Sequence, residues 1–321
     1  MKRFLAALLT VGGVALAQEE ITIAMIPKLV GIDYFNATQQ GAQEAAQELG
    51  VRLIYQGPTE ARADRQVELI ENFITAQVDV ISVAANDPEA LAPALQRAMD
   101  AGITVITWDA DANARDIFVN QATAQGIGEA LLESMVDQIG PDGQAAIITS
   151  DLTAPNQNAW IAAMEAKIAS DYPEFRIIDT RAPGEDQQRA FQATQDVLNA
   201  NPEVEGIFAL SSVAFPGAAD AVAQAGRSGE VAVVGLSTPT QMRPFVENGT
   251  VRDVILWNPI DLGYLSVYAA VAAATGEVAA GDTIDAGRLG SYTVTEDDIS
   301  LQILLGDPFI FDASNIADFN F

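Results

Sequence analysis

Residues 80–108 read VISVAANDPEALAPALQRAMDAGITVITW. Two short, continuous apolar runs, Val80–Ala84 and Ile103–Trp108, flank a helical pattern from Pro88 to Ala101. Strands that are apolar along their whole length belong in a parallel sheet covered on both faces. Working back toward the N-terminus, the unit repeats. Ile21–Ile26 and Val51–Tyr55 read as strands. Thr38–Leu49 sets Ala42, Ala45, Ala46 and Leu49 on one helical face, and Asp64–Ala76 aligns Val67, Ile70 and Ile74.

Toward the C-terminus the same series comes round again. Ala145–Thr149, Arg176–Thr180, Gly206–Leu210 and Val231–Leu236 are strands, each roughly 120–130 residues after a counterpart in the first half. Helices are expected near Asn156–Ser170, Asp186–Asn199 and Pro216–Ala225. Val251–Trp257 and a helix over Asp261–Ala274 follow. The segments Gly287–Val294 and Asp307–Phe321 read as turn-rich completion pieces. The fold class is therefore α/β, built as two similar doubly wound parallel-sheet lobes. Open α/β sheets bind ligands beyond the carboxyl ends of their strands, so two facing lobes make a cleft lined by strand-end loops.

Candidate ligand-binding residues are accordingly those just after the strands. Lys28 follows the first strand, and Tyr34 and Phe35 open the next helix, where aromatic faces can stack on a sugar ring. Trp108, Asp109 and Asp111 end the fourth strand, and a carboxylate there accepts hydroxyl hydrogen bonds. Asn156 and Gln157 open a helix in the second half. An amide suits hydroxyl recognition, although Asn156 could equally cap its helix. Ser211 and Ser212 end another strand, and Trp257 and Asn258 offer an aromatic group and an amide together. Asp109, Asp111 and Asn113 imitate the start of a calcium loop. The match fails at Ala114 and Asn120, where glycine and glutamate are required. No metal site and no cofactor are expected.

Composition narrows the function further. Met1-Lys2-Arg3 followed by an apolar run from Phe4 to Ala17 has the form of a signal peptide, with Ala15-Leu16-Ala17 as the cleavage signature. That points to residues 1–17 being removed and the remainder acting in a periplasm. The chain has no cysteine, which rules out disulfides, thiol catalysis and a lipidated N-terminal cysteine. It has no histidine, so a Ser-His-Asp triad cannot be built, and the expectation is a binding protein and not an enzyme. The net charge of −28 repels nucleic acid and anionic lipid. An acid-rich surface of this kind suits high ionic strength, where salt screens self-repulsion. No GxGxxG follows a strand and no Walker motif occurs.

Several segments carry a resemblance. Ile26-Pro27-Lys28-Leu29-Val30-Gly31, Trp108-Asp109-Ala110-Asp111, Asn156-Gln157-Asn158-Ala159-Trp160, Gly235-Leu236-Ser237-Thr238-Pro239 and Leu256-Trp257-Asn258-Pro259 together resemble the type I periplasmic binding proteins, over essentially the whole chain after the leader. Within them the chain looks most similar to the rhamnose-binding and autoinducer-2-binding branches. The resemblance implies two lobes joined by a three-strand hinge, with crossovers near Val119–Ala122, Leu236–Pro239 and Asp285–Leu289. One lobe would comprise residues 18–120 and 238–286, the other residues 121–237 and 287–321. It implies a small sugar ligand, with an ABC permease and ATPase as partners; a monomer is expected, and a sensor whose bound form docks on a chemoreceptor is a rival reading that can hold alongside transport.

The autoinducer-2 branch holds its ligand with a lysine, two aspartates, a glutamine and a Pro-Asp-Ala strand end. Lys28, Asp109 and Gln157 match that pattern. Asn156 stands where the second aspartate is expected, and Leu210-Ser211-Ser212 replaces Pro-Asp-Ala. The run Leu256–Tyr264 is more similar to the rhamnose branch, which makes rhamnose or another deoxy-sugar or pentose the first ligand class and autoinducer-2 the second. Ala110 and Ser211 stand where ribose binders resemble an arginine and an asparagine. The rival readings are a carboxylate-dependent sugar enzyme and the ligand-sensing core of a transcription regulator.

Overall fold

The computed structural model describes residues 20–276 and 278–321. The leader read at residues 1–17 lies outside the described residues. Among those described, no helix is long and apolar enough to cross a membrane.

The first lobe begins with β1 (Thr22–Ile26), α1 (Asp33–Leu49), β2 (Arg52–Tyr55), α2 (Ala63–Thr75), β3 (Val80–Val83), α3 (Pro88–Asp100), β4 (Thr104–Trp108) and β5 (Ile117–Asn120). The second lobe takes over with α4 (Ala124–Ile139), β6 (Gln144–Ile148), α5 (Pro155–Asp171), β7 (Arg176–Arg181), α6 (Gln187–Ala200), β8 (Gly206–Ala209), α7 (Ala214–Gln224), β9 (Ala232–Gly235), α8 (Pro239–Glu247) and β10 (Val254–Leu256). The chain then returns through α9 (Pro259–Thr275), β11 (Thr283–Asp285), β12 (Ser291–Glu296) and β13 (Leu301–Leu304), and ends on β14 (Phe309–Phe311). The strand–helix alternation read from the sequence is present throughout, with β5, α4, α8, β11 and β13 as additional elements.

Two sheets result. The first runs β11-β12-β13-β5-β4-β3-β1-β2, the second β14-β10-β9-β8-β6-β7. Pairing is parallel in the centre of both, with β1 between β2 and β3 and β6 between β7 and β8. β3 and β8 are buried along their whole length, and β6 is buried from Ala145 on, as their apolar runs require.

Two of the three expected crossovers need correcting. The chain passes between lobes at β5–α4, as expected, but then at β10–α9 and β13–β14. Residues 238–257, assigned to the first lobe, supply α8 and β10 to the second, where Val254 pairs with Gly235 of β9. Residues 287–304, assigned to the second lobe, supply β12 and β13 to the first, where Ile303 pairs with Val119 of β5. The reason is non-local pairing. The fully buried β10 fills the open edge beside β9, and β13 does the same for β5.

One helix contact fixes the back of the first lobe. Ala42, Ala45 and Ala46 of α1 are buried, and α1 crosses α9 closely. A Cβ on Gly41 would lie 1.8 Å from the Ile260 carbonyl oxygen, and one on Gly263 would lie 2.0 Å from that of Thr38. Only glycine permits this approach, which sets the start of α9, and with it Trp257, against α1.

Candidate functional site

The carboxyl ends of both sheets face one cleft. Its wall includes the first turns of α1 and α5 and the residues leading into α7 and α9. The space between these groups, counted together with the open solvent at its mouth, is ≈ 380 Å³.

Lys28 comes from the first lobe. The buried Gln66 braces its strand end by donating to the carbonyls of Pro27 (3.1 Å) and Ala84 (2.7 Å). Asn86 donates to the Lys28 carbonyl at 2.9 Å. With its backbone so held, the buried Lys28 crosses the cleft and donates from Nζ to Asn156 Oδ1 at 3.0 Å. That Asn156 oxygen also accepts from the Gln157 amide. Asn156 is thus a cleft residue, and the cap position of α5 belongs to Ala154.

Asp109 sits at the end of β4 in the left-handed conformation, φ 61°, one of two non-glycine residues with positive φ among those described. Aspartate tolerates this region better than most side chains, and such backbone outliers collect at functional sites. Asp109 is buried, and its Oδ1 accepts from Tyr34 Oη at 2.6 Å. Tyr34 in turn accepts from Trp257 Nε1 at 2.9 Å. A hydrogen-bonded chain therefore runs from the second crossover through α1 to the carboxylate. Burial pushes the Asp109 carboxyl up from the usual range, while the Lys28 charge and the Tyr34 hydroxyl hold it down. Burial, reinforced by the Asp109 charge, pushes the Tyr34 phenol well up, so it stays protonated and donates.

Aromatic rings close the apolar side. Tyr34 meets Phe35 edge-on (5.1 Å between centroids) and Trp257 edge-on (6.0 Å). Trp160 of α5 meets Trp257 from the other side, also at 6.0 Å. Rings fixed by one another present rigid faces at low entropic cost, which suits the apolar face of a sugar ring.

In the second lobe, Gln157 is buried and its Oε1 accepts from Thr149 Oγ1 (2.6 Å) and Ser150 N (2.7 Å). This fixes the amide and leaves its NH₂ group as the donor. Ser211 and Ser212 also line the cleft. Ser211 Oγ accepts from Ala214 N at the start of α7, and the Ser212 carbonyl accepts from Ser237 Oγ at 2.7 Å.

Nine of the twelve sequence-derived candidates therefore come together: Lys28, Tyr34, Phe35, Asp109, Asn156, Gln157, Ser211, Ser212 and Trp257. Three do not line the cleft. Trp108 points into the first-lobe core, fully buried against Phe35. Asp111 is bonded by Arg115 (2.8 and 2.9 Å) and Thr107 (2.5 Å), part of a buried arginine cluster that also holds Asp297 of the β12–β13 loop. Asn258 caps α9, accepting from Ile260 N and Asp261 N. For Asp111 and Asn258 a local structural task takes the polar group that the sequence offered.

The wall also contains residues that the sequence reading did not single out, namely Glu185, Trp160, Ile32, Leu210, Leu236 and Leu256. Glu185 is the chemically consequential one. It follows β7 on a loop without pattern, beside Asp186, whose side chain caps α6. Burial pushes its carboxyl up, while Lys28 and the hydroxyls of Ser211 and Ser150 hold it down.

Two α/β lobes that converge polar and aromatic groups on one enclosed cleft define a hinged solute receptor. The chain belongs to the periplasmic binding protein domain family, whose pattern matches residues 23–278, and to the solute-binding proteins of ABC transporters. It superposes with a TM-score of 0.89 on an ABC transporter solute-binding protein from Clostridium phytofermentas with bound L-rhamnose, at 34% identity over 94% of this chain and 98% of that one. LsrB from Clostridium saccharobutylicum in complex with AI-2 also superposes at 0.89, with 27% identity over 94% of this chain and 100% of that one. A D-ribose/D-allose-binding protein of Pseudomonas aeruginosa is 27% identical over 246 residues, covering 73% of this chain and 76% of that one.

Proposed function

We propose that this protein is the sugar-capturing component of an ABC importer, taking up L-rhamnose or a related deoxy-sugar or pentose in the periplasm by closure of its two lobes. The observation that carries the reading is the composition of the cleft. Aromatic faces from Tyr34, Phe35, Trp160 and Trp257 stand beside hydroxyl-binding groups from both lobes, Lys28 and Asp109 on one side and Asn156 and Gln157 on the other. A ligand that bonds both sets stabilises only the closed arrangement, so binding shifts the population toward closure. The similarity to the rhamnose-bound relative supports rhamnose first. The permease and ATPase of the importer are the partners that would read the closed surface, and a chemoreceptor could read the same surface.

Autoinducer-2 is the second reading, supported by Lys28, Asp109 and Gln157 together in the cleft and by the likeness to LsrB. Asn156 weighs against it. An aspartate there would neutralise the Lys28 ammonium it touches, whereas the amide leaves that charge in place.

A thermal-shift panel on the refolded protein separates the two. At ~100 times its dissociation constant a ligand stabilises by about 2.7 kcal/mol. A selective response to L-rhamnose upholds the first reading. A response to autoinducer-2 alone replaces it with signal capture, and chemical change of a bound sugar would make the protein an enzyme.

A further inference from the structure

Glu185 lies where two spaces of the cleft adjoin. With Lys28, it lines both the inner cavity and a second space beside it, walled by Asn86 and Asp87 of the first lobe and by the loop ahead of α5 in the second. Its position is rigidly set. Gly184 turns with φ 91°, which favours glycine, and donates its amide to the Ser150 carbonyl at 2.7 Å. On the other flank Asp186 is bonded to Arg189 N at the start of α6. The side chain between these anchors is delivered to the boundary of the two spaces.

The charge inventory there is one-sided. Among the described residues, Lys28 is the single cationic side chain on either wall. Against it stand Asp109 and Glu185 inside, and Asp87 and Asp151 with Glu185 outside. Helix N-termini could offset this, since their free amides attract anions. Here several of those amides are already used: Asn156 Oδ1 takes Gln157 N, Ser211 Oγ takes Ala214 N, and Asn258 takes Ile260 N and Asp261 N. What faces the ligand is an excess of acceptors around one ammonium.

We propose that Glu185 is a specificity-determining residue that accepts a ligand hydroxyl and, by its charge, confines the cleft to uncharged polyhydroxy ligands, excluding sugar acids and sugar phosphates. This rests on the sugar-capture reading. Asp109 and Glu185 then serve as hydroxyl acceptors on opposite lobes, with Lys28 donating between them. An anionic substituent meets Glu185 whether it points inward or toward the outer space.

The test is isothermal titration of the wild type, Glu185→Gln and Glu185→Lys with L-rhamnose, D-ribose, D-galacturonate and D-ribose 5-phosphate at fixed ionic strength. Unliganded melting temperatures report the folding of each variant. Expected for the wild type is a neutral sugar bound at least 100-fold tighter than either anion. In Glu185→Gln that ratio should narrow at least tenfold, through weaker sugar binding and stronger anion binding, and in Glu185→Lys it should narrow further. Glutamine has nearly the size and shape of glutamate, so steric exclusion cannot produce the narrowing in Glu185→Gln. An unchanged ratio in two folded variants that still bind the neutral sugar would overturn the role of Glu185 alone. Anions bound as tightly as sugars by the wild type would overturn it as well. Silence of the wild type toward both neutral sugars would sink the sugar reading and the inference with it.

Discussion

Replacing Tyr34 by phenylalanine keeps the ring that packs on Phe35 and Trp257 and removes one oxygen. That oxygen donates to Asp109 at 2.6 Å and accepts from Trp257 Nε1 at 2.9 Å. A hydrogen bond to a charged group contributes about 1.5–3 kcal/mol, and a buried donor left unsatisfied costs about 1–3 kcal/mol. Partial relaxation brings the expected loss of stability to about 2–4 kcal/mol, read from urea unfolding of the unliganded protein. The loss should depend on pH. The Asp109 carboxyl already lies above its unfolded value because burial dominates, so its contribution favours the fold at low pH and is lost as pH rises through the folded pKa. Removing the hydroxyl takes away one of the two influences that hold this pKa down, and the pKa rises further. The deficit of Tyr34→Phe should therefore be largest at neutral pH and shrink on acidification as Asp109 takes up its proton. Ligand affinity that uses the carboxylate as acceptor should fail at a higher pH than in the wild type. A variant within about 0.5 kcal/mol of wild type, or one whose affinity falls at the same pH, would refute the chain from Trp257 to Asp109.

Gln241 of α8 donates to Asp33 of α1 at 2.9 Å, across the lobes and away from the cavity wall. Asp33→Ala, which leaves the bond between Ser237 and Gln241 in place, should weaken every ligand by the same two- to fivefold, the scale of one exposed hydrogen bond. A change in ligand ranking on titration would show that it acts on the site itself. Asp111→Asn should lower stability by about 1–3 kcal/mol, because buried Arg115 loses a charged partner. Its affinity should stay within twofold of wild type, and a larger loss would return Asp111 to the ligand site. Gly41→Ala would place a methyl 1.8 Å from the Ile260 carbonyl oxygen. Forcing α1 from α9 should cost about 1–3 kcal/mol, and a melting temperature equal to wild type would disprove the close crossing.

The strands and the cleft they face were legible in the sequence because their signals are local. An unbroken apolar run such as Val80–Val83 has no polar face to turn to water, so it has to lie inside a sheet covered on both sides. Polar residues that end such runs, Lys28 and Asp109 among them, then have to emerge at the carboxyl edge, where open α/β sheets hold ligands. Glu185 gave no comparable signal. It follows β7, whose residues are only partly buried or exposed, and one carboxylate in Gly184-Glu185-Asp186 looks like another until the loop is pinned to Ser150.

Tertiary structure alone settled what each polar group at a strand end has left to offer. Asp111, Asn258 and Asn156 each place a short side chain with a hydrogen-bonding oxygen shortly after a strand. Arg115 takes the first, the amides of α9 take the second, and only the third is left in the cleft, bonded to Lys28 from the opposite lobe. Sheet membership was decided in the same way. Nothing in Val254–Leu256 names β9 as its neighbour, and nothing in Leu301–Leu304 names β5, because a strand's hydrogen bonds go to whichever open edge the rest of the chain has built. Hydrophobic pattern is a property of consecutive residues, whereas partner choice belongs to residues far apart in the chain, as in the bond from Arg115 to the Leu301 carbonyl, 186 positions away.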